Sequence, residues 1–146
     1  MRKIIIAVMF LCLSSFNLKA HESEDFLHDY LENINQVDVL NSKVGFYELK
    51  KMIDEEKAVL VDVRYKDEQE VKIKGINLVR MPISEVPDRL NEMPKDKIII
   101  TVCGGRCQTG ELASIARLYF KSKDYDARVY PFGIENLKSE FEAVKK

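Results

Sequence analysis

Three short apolar runs set far apart, residues 58–63, 98–102 and 127–132, constrain this chain more than any other feature. Each carries Val or Ile and is bounded by charges or glycine. A strand with one wet face alternates apolar with polar residues, whereas a strand covered on both faces reads as a continuous apolar run. Runs of strand length therefore predict a parallel sheet with helices packed on each side. The segments between them carry a helical period: residues 84–93 form one pattern, and Leu112, Ile115, Ala116 and Tyr119 fall on one stripe of another. Phe46, Leu49 and Ile53 share a face of an earlier helix, residues 134–144 read as a closing helix, and residues 77–81 suit a shorter strand. Such alternation predicts an α/β fold, a single domain over residues 36–146. No internal repeat or low-complexity linker divides it.

Residues 1–20 differ in kind. Arg2 and Lys3 make a basic start, residues 4–13 are almost wholly apolar, and Ser14 and Ser15 follow. This is the pattern of a signal peptide, with Ala20 as the last residue removed and a retained anchor as the alternative. The run is shorter than the roughly 20 residues a membrane-spanning helix needs, so no stable insertion is expected once it is removed. Cys12 follows Leu11, not a small residue, and is not read as lipid-bearing. Residues 21–35 begin with acids and place Phe26, Tyr30 and Ile34 four apart, as in a short amphipathic leader helix. The 146-residue chain has a formal charge of −1, and losing residues 1–20 removes three basic residues and no acid. The remainder, at about −4, suits no nucleic-acid partner, which a net basic face would have to hold. The expected product is an exported protein, soluble outside the cytoplasm.

A domain of this size folds without disulfides or a structural metal, so its cysteines need another explanation. The run 98–102 leads straight into Cys103, Gly104, Gly105, Arg106, Cys107, Gln108 and Thr109, and then into a helical pattern. Ligands of open α/β sheets bind at the C-terminal ends of strands. Two glycines allow backbone turns closed to other residues, so that successive N–H groups face inward as an anion nest, and a helix start adds its own unpaired amides. A thiol in that field is expected to ionise well below its usual pKa of about 8.5 and to act as a nucleophile. Arg106 would add attraction for a small anionic donor. His21 and His28 are the only histidines and both precede the domain, so no imidazole is expected to serve Cys103. The bland alternative is an inert core cysteine, a common fate at a strand end.

Taken together these residues resemble the rhodanese homology domain over roughly residues 36–140. Val61-Asp62-Val63-Arg64 is similar to that family's Asp-Val-Arg strand end, with Glu68 four residues after the arginine. Residues 73–77, ending at Met81-Pro82, resemble its Gly-His-Ile-Pro-Gly-Ala segment, and Phe132-Gly133-Ile134 its late Gly-Gly-Ile turn. Cys103 takes the nucleophile position and Thr109 the hydroxyl position six residues on. Arg106, Cys107 and Gln108 depart from the usual loop, and Leu137 stands where a tryptophan is frequent. With the export signal, the chain looks most like small periplasmic rhodaneses of the phage shock protein E type. The resemblance implies a sulfurtransferase without cofactor or metal. A Cys103 persulfide would carry sulfane sulfur from thiosulfate or a persulfide to cyanide or a thiol. Residues 104–109 would form the substrate loop, with Asp62, Arg64 and Glu68 as supports that do not touch substrate. Arg80 is expected to be a solvated charge.

Two other readings stay open. Cys103 and Cys107, four apart in an exported protein, could form a disulfide and make this a thiol-disulfide redox protein. The fold could also serve as a non-catalytic binding module. A phosphatase or arsenate reductase would need an arginine where Thr109 stands, and two cysteines without a nearby histidine cannot complete a closed zinc site.

Overall fold

The computed structural model describes residues 25–107 and 109–144. The expected signal peptide, Cys12, His21 and Gln108 lie outside them. Contacts divide the chain into two compact units, one up to Asn35 and one from Gln36 onward. In the first, a helix α1 occupies 25–33, with the Phe26 and Tyr30 rings stacked at 5.8 Å one turn apart.

The second unit is built on β1 (Ala58–Asp62), β2 (Leu78–Arg80), β3 (Ile98–Val102) and β4 (Ala127–Val129), ordered β2-β1-β3-β4 and parallel throughout. Successive strand residues serve opposite faces. Leu60, Ile100 and Val102 pack with Phe46 and Leu49 of α3 (Phe46–Asp54) and with Ile134, Leu137 and Phe141 of α6 (Ile134–Ala143). Val61 and Ile99 pack on the other face with Ala113, Ala116 and Phe120 of α5 (Glu111–Lys121) and with Val86 of the short α4 (Val86–Arg89). This double burial is what the unbroken apolar runs predicted, and it makes the fold an open parallel α/β sheet. A short α2 (Gln36–Asn41), without a buried residue, precedes these elements.

Three local expectations shift. Residues 84–93 do not form one helix: 3-10 turns at Ile83–Glu85 and Leu90–Glu92 flank α4, into which Pro87 admits no regular amide ladder. The third run ends as a strand at Val129, two residues before Pro131, which lacks an N–H to continue the ladder. Ile115 is 50% exposed, because α5 turns its Ala113-Ala116-Phe120 face to the sheet, where small residues let the helix lie close.

Candidate active site

β3 delivers Cys103 to the C-terminal edge of the sheet, flanked by the ends of β1 and β4. The chain must then reverse into α5, and two glycines make this possible. Gly104 (φ 154°) and Gly105 (φ 56°) occupy backbone regions that side chains rarely adopt. A β-carbon at Gly104 would also collide with the Glu135 carboxylate, and one at Gly105 with that of Glu68. Cys107 N–H closes the turn on the Gly104 carbonyl at 2.9 Å. This folds the loop back so that the Cys103 thiol meets Cys107 Sγ at 3.0 Å. From the first turn of α5, Leu112 N–H donates to Cys107 Sγ at 3.3 Å. Behind the loop, Ile134 N–H donates to the Cys103 carbonyl at 2.8 Å, fixing the strand end to the start of α6.

Cys103 is only 2% exposed, yet it and Cys107 line a cleft of about 580 Å³ together with Gly104, Gly105, Gly110 and residues of the 130–135 segment. Burial, and after it the hydrogen bond to Cys107, pushes the Cys103 thiol up to about 12, while the Ala113 amide pulls weakly the other way. The expected neutral-pH thiolate is therefore corrected for this dithiol state. Its physical reason is burial of the thiol, followed by the hydrogen bond with its neighbour Cys107. Of the loop amides, Arg106 N–H turns to Glu68 Oε2 at 3.4 Å and Cys107 N–H to the Gly104 carbonyl, so these two do not face the sulfur. A second thiol, not a cation, faces Cys103.

The neighbouring strand end is organised by charge. Asp62 is fully buried, and Arg64 grips its carboxylate through Nε at 3.0 Å and Nη2 at 2.8 Å. Arg64 also donates to the Gln69 carbonyl at 2.9 Å. Arg80 lies opposite Asp62 in the β1–β2 register and donates to the carbonyls of Asp62 at 3.2 Å, Arg64 at 2.9 Å and Tyr65. It is a backbone clamp, not the solvated charge expected, and only the pairing of β2 with β1 reveals it. Glu68 joins this corner to the cysteine loop, taking Tyr65 N–H at 3.2 Å as well as Arg106 N–H.

The Rhodanese-like domain pattern matches residues 46–140. The chain belongs to this family. No curated protein sequence matches it. Among solved structures, reduced Bacillus anthracis CoADR-RHD is 28% identical with a TM-score of 0.55, over 70% of this chain but 17% of that one. A Saccharomyces cerevisiae single-domain sulfurtransferase is 23% identical with a TM-score of 0.51, over 67% of this chain and 89% of its own. A rhodanese-related protein from Thermoplasma volcanium is 19% identical with a TM-score of 0.53, over 67% and 91% respectively. At these identities the last two likenesses speak to the fold.

Within the rhodanese-like domain, the cleft gathers Cys103, Gly104, Gly105 and Cys107 from the sequence-derived set. Asp62, Arg64 and Glu68 stand behind it and do not line it. Arg106 of the expected substrate loop has its guanidinium paired with Asp67 and over the Tyr65 ring at 4.9 Å, and is not among the residues lining the cleft. Thr109 is exposed and also outside it. Sequence reasoning missed the opposite wall, formed by Tyr130, Pro131, Phe132, Gly133 and Glu135. The available signal was that every strand of a parallel sheet ends on the same edge, so the residues after β4 must face those after β3. Among the described residues no group of His, Cys, Asp and Glu is placed to hold a metal ion, and no helix is long and apolar enough to cross a membrane.

Proposed function

We propose that this rhodanese-like domain is a sulfurtransferase in which Cys103 takes up a sulfane sulfur as a persulfide and passes it to a thiol or to cyanide. One observation carries the reading: Cys103 lines the cleft at a strand end, with the first turn of α5 against its sulfur. A persulfide adds one atom to a sulfur whose remaining surroundings are packed, so the new atom has the cleft to occupy. Cys103 is the nucleophile, Gly104 and Gly105 admit the donor to it, and Asp62, Arg64 and Glu68 keep the two strand ends in place.

The cleft wall bears on the donor. Among the described residues that line it, Glu135 is the one carboxylate and there is no lysine or arginine. Attraction for dianionic thiosulfate is weak in such a lining, and an organic persulfide, with at most one charge on its sulfur pair, suits it better. Mature residues from His21 on, exported behind the 1–20 leader, would make this a periplasmic rhodanese of the phage shock protein E type. A rival reading, a non-catalytic binding module, is favoured by the burial and raised pKa of the same thiol.

Mass spectrometry after treatment with thiosulfate, and separately with glutathione persulfide, separates the two. The expected result is one added sulfur on the peptide holding Cys103, removed by cyanide as thiocyanate, with the persulfide donor the faster. No gain of sulfur with either donor, and no alkylation of Cys103 at any pH short of unfolding, would leave only the binding module.

A further inference from the structure

The loop holds a second thiol that sulfur relay through Cys103 does not require. Cys107 is 8% exposed, lines the same cleft, and has its sulfur 3.0 Å from that of Cys103. Two restraints keep it there: the Cys107 N–H to Gly104 carbonyl turn and the Leu112 N–H donated to Cys107 Sγ. A disulfide has its sulfurs about 2.05 Å apart, so bonding requires an approach of about 1 Å within a glycine-containing loop.

We propose that Cys107 is a resolving thiol that discharges the Cys103 persulfide inside the protein, releasing hydrosulfide and leaving a Cys103–Cys107 disulfide. This rests on Cys103 being the persulfide site. In the step, Cys107 Sγ bonds to Cys103 Sγ and the bond from Cys103 Sγ to the outer sulfur breaks. The outer sulfur leaves with that electron pair and with the proton of the Cys107 thiol. Persulfide anion and thiol thus become disulfide and HS⁻, the sulfane sulfur being reduced from zero to minus two while the cysteine pair is oxidised by two electrons. A dithiol reductant returns the disulfide to two thiols by exchange, becoming oxidised itself. Attack falls on the inner sulfur because that is the atom beside Cys107 Sγ. Cys107 Sγ is already 3.0 Å from that inner sulfur, and a positioned intramolecular group holds a large advantage over a diffusing one. The protein then acts as a sulfane-sulfur reductase, and the external acceptor competes with its own loop.

The test uses the full chain, reduced, freed of reductant and kept anaerobic. It is loaded with inorganic polysulfide, desalted, and followed by intact mass, peptide mapping and sulfide assay. Wild type is expected to lose two hydrogens, to yield a Cys103–Cys107 linked peptide and to release hydrosulfide in amount equal to protein. Cys107→Ser and Cys107→Ala are expected to retain one sulfur on Cys103 and to release none until a thiol is added. A wild-type persulfide as long-lived as that of the two variants overturns the proposal, as does transfer of the outer sulfur onto Cys107. If the Cys107 variants themselves take up no sulfur on Cys103, the parent sulfurtransferase reading falls as well, an outcome distinct from a stable wild-type persulfide.

Discussion

β1 and β3 are neighbours in the sheet, in register from Ala58↔Ile98 to Asp62↔Val102, and they finish in opposite ways. β1 ends in a buried carboxylate matched by two arginines; β3 ends in two thiols that face each other and carry no ionic partner. A buried charge is tolerated only when paired and hydrogen-bonded, and such a network, once complete, is costly to open. A buried thiol asks little of its surroundings and keeps its chemistry for whatever enters the cleft. Stability and reactivity are thereby assigned to adjacent strand ends, with Glu68 the link between them.

The comparison breaks most readily at the thiols. Cys103→Ser is expected to abolish sulfur uptake completely while leaving a cooperative unfolding transition, read by mass spectrometry beside urea denaturation. Asp62→Ala should do the converse. Stranding Arg64 and Arg80 at the strand end should lower stability by about 3–5 kcal/mol, read from the urea midpoint, while the folded fraction still takes up sulfur. If Asp62→Ala left the midpoint unchanged, the division between the two strand ends would not stand.

Smaller effects sharpen the division. Gly105→Ala places a side chain at φ 56° and against Glu68 and should cost about 1–2 kcal/mol or more, with slower sulfur uptake, because it disturbs the link itself. Alkaline pH should weaken the thiol end first. Burial holds Cys103 up to about 12, above the ordinary thiol value, so the unfolded chain ionises first. Its contribution is full below about pH 9 and is lost as pH climbs from there toward 12. Tyr130 is also pushed up, by burial and by Glu140, and titrates from a higher starting value. Wild type should therefore lose more stability than Cys103→Ser between pH 9 and 10, in urea titrations at each pH. Arg106→Ala should do least. Its exposed pair with Asp67 is worth about 0.2–1 kcal/mol, and the KM for an anionic donor should stay where it is. A raised KM would return Arg106 to the cleft.

Much of this was legible in the chain itself. Unbroken apolar runs of strand length can be buried on both faces or not at all, so the parallel sheet and its two helical layers followed from residues such as Leu60 and Val61, which serve opposite cores. The Cys103 loop could be placed because a strand, two glycines and a helix adjoin in sequence. Broken helices were harder: residues 84–93 keep a helical period although Pro87 and packing divide them.

Sequence by itself determined where the central strands run and where the sulfur-bearing loop lies, since periodicity and glycine act over a few residues. Only tertiary structure decided what surrounds that sulfur. Arg80 reaches the β1 carbonyls because β2 lies beside β1, Glu135 meets the cysteine loop because β4 lies beside β3, and Arg106 faces Asp67 and not the cleft. Ionisation follows the full set of neighbours, and burial outweighed the helix start at Cys103. A balance of that kind is fixed by distances across the sheet, which no local pattern encodes.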